Sequence, residues 1–343
     1  NLLFKNFLLL FVYLMVLPNI ANAQKFRFVE ATIGNIQNTI RSGHMTCREI
    51  VSGYLDRIST FDQDTKLNAI TVVNRNALKK ADQIDLAIKN GDPLGSLFCA
   101  PILVKDNYDT HDLPTTGGSI ALKNSYPPDD AYMVRKLREA GAIVIAKTNM
   151  AEWAFSPRQS ISSSFGTTAN AYDLSRVPAG SSGGTASGTA ASFGVAGMGS
   201  DTGNSIRGPS SHLALFGIRS TLGLTSRDGI IPLAWDRDVA GPMTRTVIDG
   251  AKIFNEVAGY DPADPMTEQG KGKRKKDYTD YLDKNALKGK RIGVLRSLVF
   301  TEDADPEITA LFIKAVEDLK KAGAIIVDPF AIANFDDHRN TSS

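Results

Sequence analysis

Pro178-Ala179-Gly180-Ser181-Ser182-Gly183-Gly184-Thr185, followed after one run of small residues by Gly199-Ser200-Asp201-Thr202-Gly203-Asn204-Ser205-Ile206-Arg207-Gly208-Pro209, is the stretch on which the reading of this chain turns. It gathers serines and glycines with almost no bulk, too little apolar side chain to build a core by itself. Glycine admits φ > 0 and lets a ligand approach the main chain, so two such loops in succession aim backbone N–H groups at a shared point, the geometry of an anion or oxyanion cradle. The small residues 185–194 between them read as a helix packed tightly under both loops. A flexible Gly/Ser linker competes with this reading. Ala196, Met198, Ile206 and Leu213 punctuate the stretch, however, and a linker has no use for Asp201 and Arg207.

Working outward, residues 1–23 carry one charge, Lys5, then an apolar run over residues 7–17, then Ala21-Asn22-Ala23. A basic start, a short apolar core and an A-x-A ending predict a secretory signal peptide cut before Gln24, with export from the cytoplasm to the periplasm or exterior. The run is short for a bilayer, so no stable span is expected after cleavage. The chain starts without Met, which implies further residues in front. Residues 24–343 then form the folded part, enough for one large α/β domain or two ordinary ones. The formal net charge of +2 over 343 residues argues against nucleic acid as the main partner. The basic run 271–276 reads as a solvated loop. Cys47 and Cys99 lie 52 positions apart with no metal-ligand spacing; an oxidising compartment permits a bridge, but the sequence leaves their pairing open.

The elements alternate. Ile33, Ile36 and Ile40 share a helical face, Thr46-Cys47-Arg48-Glu49 is a capping box that opens a second helix, and a third runs over 75–89 to Asn90-Gly91. Residues 100–104 form a buried strand that ends in Lys105, a position that suits either a snorkelling surface lysine or a site residue. A helix over 131–140 capped by Gly141 leads into a strand over 142–146, and short strand or edge segments follow at 215–218 and 229–232. A helix capped by Thr246 comes next, then strands at 291–295 and 324–327 around a helix over 306–322. Helix, glycine cap and apolar strand in that order are α/β grammar.

Lys105 in Pro101-Ile102-Leu103-Val104-Lys105-Asp106-Asn107, Lys147-Thr148-Asn149-Met150, the two Gly/Ser loops and Asp238-Val239-Ala240-Gly241-Pro242-Met243 together resemble the amidase signature family, over residues 31 to the end. The resemblance implies an α/β/α sandwich with a large mixed central sheet and a Ser-Ser-Lys amidase that works through an acyl-enzyme. Ser205 matches the nucleophile, Ser181 the bridging serine preceded by a cis peptide bond, and Lys105 the general base. Backbone N–H groups of Thr202, Gly203, Asn204 and Ser205 match the oxyanion hole, with Asp201 and Arg207 as loop supports. No metal or cofactor is implied. The implied substrate is a small-molecule amide, and a homodimer is compatible with the family. Chemically, a serine attacks an amide only if a base removes its proton, and lysine serves once burial brings its pKa from about 10.4 to near 7. The family's tRNA-dependent amidotransferase subunit works in the cytoplasm with partners, a role that a secretory leader disfavours.

Departures from the family pattern are Asn204 for a usual glycine, Ala179 for a frequent glycine, and Phe98-Cys99-Ala100-Pro101 for a His-Gly-Ile-Pro-like run. Asn tolerates φ > 0, so the hole is expected to survive with its access altered by the Asn204 side chain; the other two read as packing changes. Full members run on by another hundred residues or more, so the chain reads as incomplete on its C-terminal side, with an open sheet edge and poor solubility expected. Two other functions compete. Gly180-Ser181-Ser182-Gly183-Gly184 fits G-x-S-x-G around Ser182, the elbow of a Ser-His-Asp esterase, with His212 as the nearest histidine in sequence. The glycines at 194–199 could instead cradle a phosphate in a binding protein, or the chain could be a catalytically impaired amidase-like binder.

Overall fold

The computed structural model describes residues 26–335 and 337, so the predicted leader at residues 1–23 lies outside the described residues. The chain divides into two compact units, one ending at Tyr278 and one beginning at Thr279.

In the first unit, helix α1 (Ile33–Arg41) buries Ile33, Ile36 and Ile40. Helix α2 (Cys47–Phe61) opens on the predicted box: the Glu49 N–H donates to Thr46 Oγ1 at 3.1 Å while the Thr46 N–H donates to Glu49 Oε2 at 2.7 Å. Strand β1 (Ile70–Val73) follows, then α3 (Ala77–Asn90), ended by Gly91 at φ 75°. Next come β2 (Pro101–Lys105), α4 (Tyr132–Glu139) and β3 (Ile143–Thr148). A small hairpin of β4 (Ile161–Ser162) and β5 (Gly166–Thr167) precedes α5 (Gly183–Ala190). The unit closes with β6 (Ala196–Asp201), α6 (Arg207–His212), β7 (Phe216–Gly217), β8 (Val239–Thr244) and α7 (Val247–Val257).

These strands form a six-stranded mixed sheet in the order β1-β3-β2-β6-β8-β7. β2 runs parallel to both β3 and β6, while β1, β8 and β7 pair antiparallel to their neighbours. The α/β architecture agrees with expectation. Ile102, Leu103, Val104 and Ile145 are fully buried, each worth roughly 1.5–3 kcal/mol. Because β2 and β6 are parallel neighbours, Lys105 and Ser200-Asp201 emerge at the same sheet end, where ligands of α/β sheets bind.

The sequence reading did not include β1, β4 and β5, and two further strands escaped it because they look like loops. The glycines at 194–199, read as a candidate phosphate cradle, lie largely in β6, and Gly241 lies in β8. Their role is close packing: a Cβ at Gly197 would sit 2.4 Å from Thr185 Cγ2 on α5, and one at Gly241 would sit 2.2 Å from the Ile218 carbonyl oxygen. Conversely, residues 229–232 form no strand; Ile230 makes only an isolated bridge to Tyr108.

Cys47 and Cys99 are joined by a disulfide, with their Cα atoms 5.7 Å apart. Cys99 and Ala179, where the family usually has glycine, both take left-handed backbone, φ 58° and 60°. At these two positions the departures therefore involve the backbone as well, where a glycine would fit without the steric cost of a Cβ, while Phe98 packs in the core. Among the described residues no helix is long and apolar enough to cross a membrane.

In the second unit, β9 (Arg291–Gly293) and β10 (Ile325–Val327) pair in parallel, joined through α8 (Pro306–Lys321). Asp305 caps α8, accepting from the N–H of Glu307 at 2.8 Å.

Gly197→Ala should cost about 1–3 kcal/mol through overpacking against α5. Gly34→Ala, in α1 with no neighbour closer than 3.7 Å to the added carbon, should stabilise by about 0.5–1 kcal/mol. Denaturant unfolding of the two variants checks both signs.

Candidate active site

Lys105 closes β2, all five of whose residues are buried. Its Nζ lies 2.7 Å from Ser181 Oγ, 2.8 Å from Ser200 Oγ and 3.5 Å from the Ser200 carbonyl oxygen. Asn107 Nδ2 donates to the same Ser200 Oγ at 3.0 Å, which fixes that hydroxyl against the amine. Lys105 is completely buried and forms no ion pair among the described residues. Burial pulls its pKa down from 10.5 to about 7, against the opposing charges of Asp201 and Asp238.

Lys147, one strand over, is equally buried but differently supplied. Its ammonium donates to the carbonyls of Tyr108 at 2.7 Å and Pro114 at 3.0 Å and to Thr115 Oγ1 at 2.9 Å, and it pairs with Asp106 Oδ1 at 3.3 Å. Burial lowers its pKa too, but Asp106 opposes this directly. Lys147 therefore pins the 106–115 loop to the sheet, and Lys105 is left as the base candidate.

The Gly180–Ser181 peptide bond is cis, as the resemblance implies. Ser181 precedes α5, whose N-terminal glycines let the helix descend onto the sheet: a Cβ at Gly184 would lie 2.3 Å from the Asn149 carbonyl oxygen.

Ser205, 5% exposed, sits in the loop after β6. It helps line an open groove of roughly 580 Å³ with Thr202, Gly203, Asn204, Phe155, Leu233 and Arg237. Asp201 Oδ2 accepts from the N–H groups of Ile206 at 3.0 Å and Arg207 at 3.2 Å, and its carboxylate also pairs with the Arg207 and Arg219 side chains. Burial alone would raise the Asp201 carboxyl, but Arg207 and these N–H groups hold it below the usual carboxylate range. Within the described residues, no hydrogen bond takes the N–H groups of Thr202, Gly203, Asn204 or Ser205, so these donors remain available to an oxyanion. Asn204 is not left-handed. Its side chain donates to the Pro157 carbonyl at 3.3 Å and packs on Gly208. Ser181 and Ser205 share no hydrogen bond among the described residues; Lys105–Ser181 is the formed link of the expected relay.

Ser182 does not sit on an elbow. It is fully buried, its hydroxyl donates to the Ser200 carbonyl at 3.2 Å, and no strand leads into it. His212 lies elsewhere, its Nδ1 3.3 Å from the Val177 carbonyl oxygen. Among the described residues, His111, Asp112 and Asp130 are the one grouping with metal-ligand spacing. Arg138 already fills it, reaching Asp112 Oδ1 at 2.6 Å and Asp130 Oδ2 at 3.1 Å. Ser200 and Asn107 lie within the sequence motifs, yet nothing along the chain gives them a role. The parallel pairing of β2 with β6 would have revealed them, had the glycine-rich β6 been legible as a strand.

A mixed α/β sheet thus carries a buried lysine, a cis-linked serine and an N–H-rich serine loop at one end. The amidase family model matches residues 49–340, and the chain belongs to the amidase signature family. It is 38% identical over 296 residues to a subunit of the glutamyl-tRNA(Gln) amidotransferase of Gloeobacter violaceus, covering 86% of this chain and 59% of that protein. The native peptide amidase of Stenotrophomonas maltophilia superposes with a TM-score of 0.83 at 37% identity, over 91% of this chain and 64% of that one. An amidase family protein from Bacillus anthracis does so with a TM-score of 0.83 at 37% identity, over 92% and 65%. The chain thus spans somewhat under two thirds of the length of these relatives.

The lowered Lys105 pKa carries a stability consequence. Between about pH 7 and 10.5 the unfolded lysine is protonated and the folded one is not, so stability falls as pH drops through this window and levels off below 7. The full cost is about 5 kcal/mol. Lys105→Met should therefore raise Tm most at pH 7 and below, the gain shrinking toward pH 10; a pH series of thermal melts measures it.

Proposed function

We propose that this chain carries the catalytic centre of an amidase that hydrolyses a carboxamide C–N bond. The observation that carries this reading is the 2.7 Å contact with Ser181 of a fully buried Lys105 that has no ion pair among the described residues. In the neutral form the amine holds a lone pair toward the Ser181 hydroxyl. Ser205 Oγ attacks the carbonyl carbon, its proton passes to Ser181, and the Ser181 proton passes to Lys105. The oxyanion that forms is met by the free N–H groups of residues 202–205. Lys105 returns the proton through Ser181 to the leaving nitrogen, the C–N bond breaks, and ammonia or an amine departs. Water then adds to the acyl-enzyme along the same route, releasing the acid and Ser205.

The predicted leader and the Cys47–Cys99 disulfide support a place outside the cytoplasm. They favour a hydrolase there over a role in amide transfer to glutamyl-tRNA(Gln), the one for which the amidotransferase relatives are named. The likeness to a peptide amidase supports small carboxamides as substrates.

Ammonia release from a panel of carboxamides tests the reading. Ser205→Ala should lose turnover on the order of 10⁴-fold or more, together with fluorophosphonate labelling, which Ser182→Ala should retain. Since the neutral amine is the active form, kcat/KM should rise with pH through an inflection at about 7. Labelling that survives in Ser205→Ala would overturn the assignment.

A further inference from the structure

The groove in front of Ser205 has an apolar side and one cation. Phe155, 80% exposed, Pro157, Leu233 and Ala234 supply the apolar surface, and Arg237 supplies the charge. The other charges near this loop are already matched. Asp201 is held by Arg207 and Arg219. Asp238 accepts from Thr202 Oγ1 at 2.5 Å and from the N–H groups of Leu233 at 2.8 Å and Ala234 at 3.0 Å. Among the described residues the Arg237 side chain has only its chain neighbour Asp236, 3.3 Å away, and both side chains are largely in water, at 51% and 73% exposure. Such a pair is worth little, so it leaves the guanidinium free to trade Asp236 for another carboxylate.

The backbone of Arg237 is nevertheless fixed relative to the nucleophile loop. Its N–H donates to the Ala234 carbonyl at 3.1 Å, and its carbonyl accepts from Arg219 Nη2 at 2.9 Å. Arg219 pairs with Asp201, which accepts the Ile206 N–H directly after Ser205. An unbroken set of polar contacts thus sets where the Arg237 side chain starts relative to Ser205.

We propose that Arg237 is a specificity-determining residue, and that the groove selects amides that combine an apolar body with a carboxylate. This deepens the proposed amidase reading and rests on Ser205 as its nucleophile. A planar, five-donor guanidinium suits a carboxylate better than a neutral end group, and the apolar wall removes the substrate body from water.

The test compares N-succinyl-phenylalaninamide with N-acetyl-phenylalaninamide, which differ by one carboxylate and its short tether, by ammonia release from the full chain and by calorimetric binding to Ser205→Ala. The succinyl compound should be preferred roughly two- to fivefold, mainly through KM, with the preference shrinking in high salt. Arg237→Gln should collapse the ratio, Arg237→Lys should keep part of it, and Asp236→Asn should enlarge it by removing the competitor. A ratio near one in the unaltered chain, or a ratio that Arg237→Gln leaves intact, overturns the proposal even if both amides are hydrolysed. Arg237-dependent binding of the succinyl compound without turnover of either amide would instead sustain the proposal and sink the amidase reading.

Discussion

The structure depends on one unfavourable burial: the amine of Lys105, closed off from water at the end of β2, with two serine hydroxyls for company and, among the described residues, no carboxylate in ion-pair range. A charged lysine there would be strongly disfavoured, and the molecule answers by lowering the affinity for the proton. At neutral pH this costs about 5 kcal/mol relative to an unshifted lysine, a large part of the roughly 5–15 kcal/mol that a domain typically has. The apolar strands β2 and β3 and the helices over them offset it.

Lys147 shows what the alternative would look like. It occupies the neighbouring strand at the same depth, yet three close acceptors and Asp106 surround its ammonium. The two lysines have the same residue type and the same burial, and the close acceptors together with Asp106 separate them. Asp201 plays a related part on the serine loop. By absorbing the N–H groups of residues 206 and 207 and leaving those of 202–205 unused, it divides the loop into an anchored half and a receptive half.

Much of this was legible in the residues. Ile33, Ile36 and Ile40, the Thr46 capping box and the apolar run before Lys105 announce their elements by spacing alone, and the α/β alternation follows. The strands β6 and β8 were not legible, because in them glycine replaces the β-branched residues that mark a strand; helix α5 approaches β6 too closely for a side chain at Gly197. For the same reason Ser200 carried no message: its meaning lies in the pairing of β6 with β2 rather than in its neighbours along the chain. Ala179 and Cys99 misled in another way, since nothing local says that an alanine or a cysteine holds a left-handed backbone. The three-residue constellation of Lys105, Ser181 and Ser205 was visible only as a resemblance, and the structure adds the contact between the first two.

The central claim concerns the protonation of one amine, and it can be observed without any substrate. Carbon-13 labelling of the lysine ε-carbons, with the Lys105 resonance assigned by its absence in Lys105→Met, gives its titration directly by NMR. The account predicts a midpoint at about 7. A Lys105 signal that stays protonated until about pH 10, like an ordinary lysine, would contradict it.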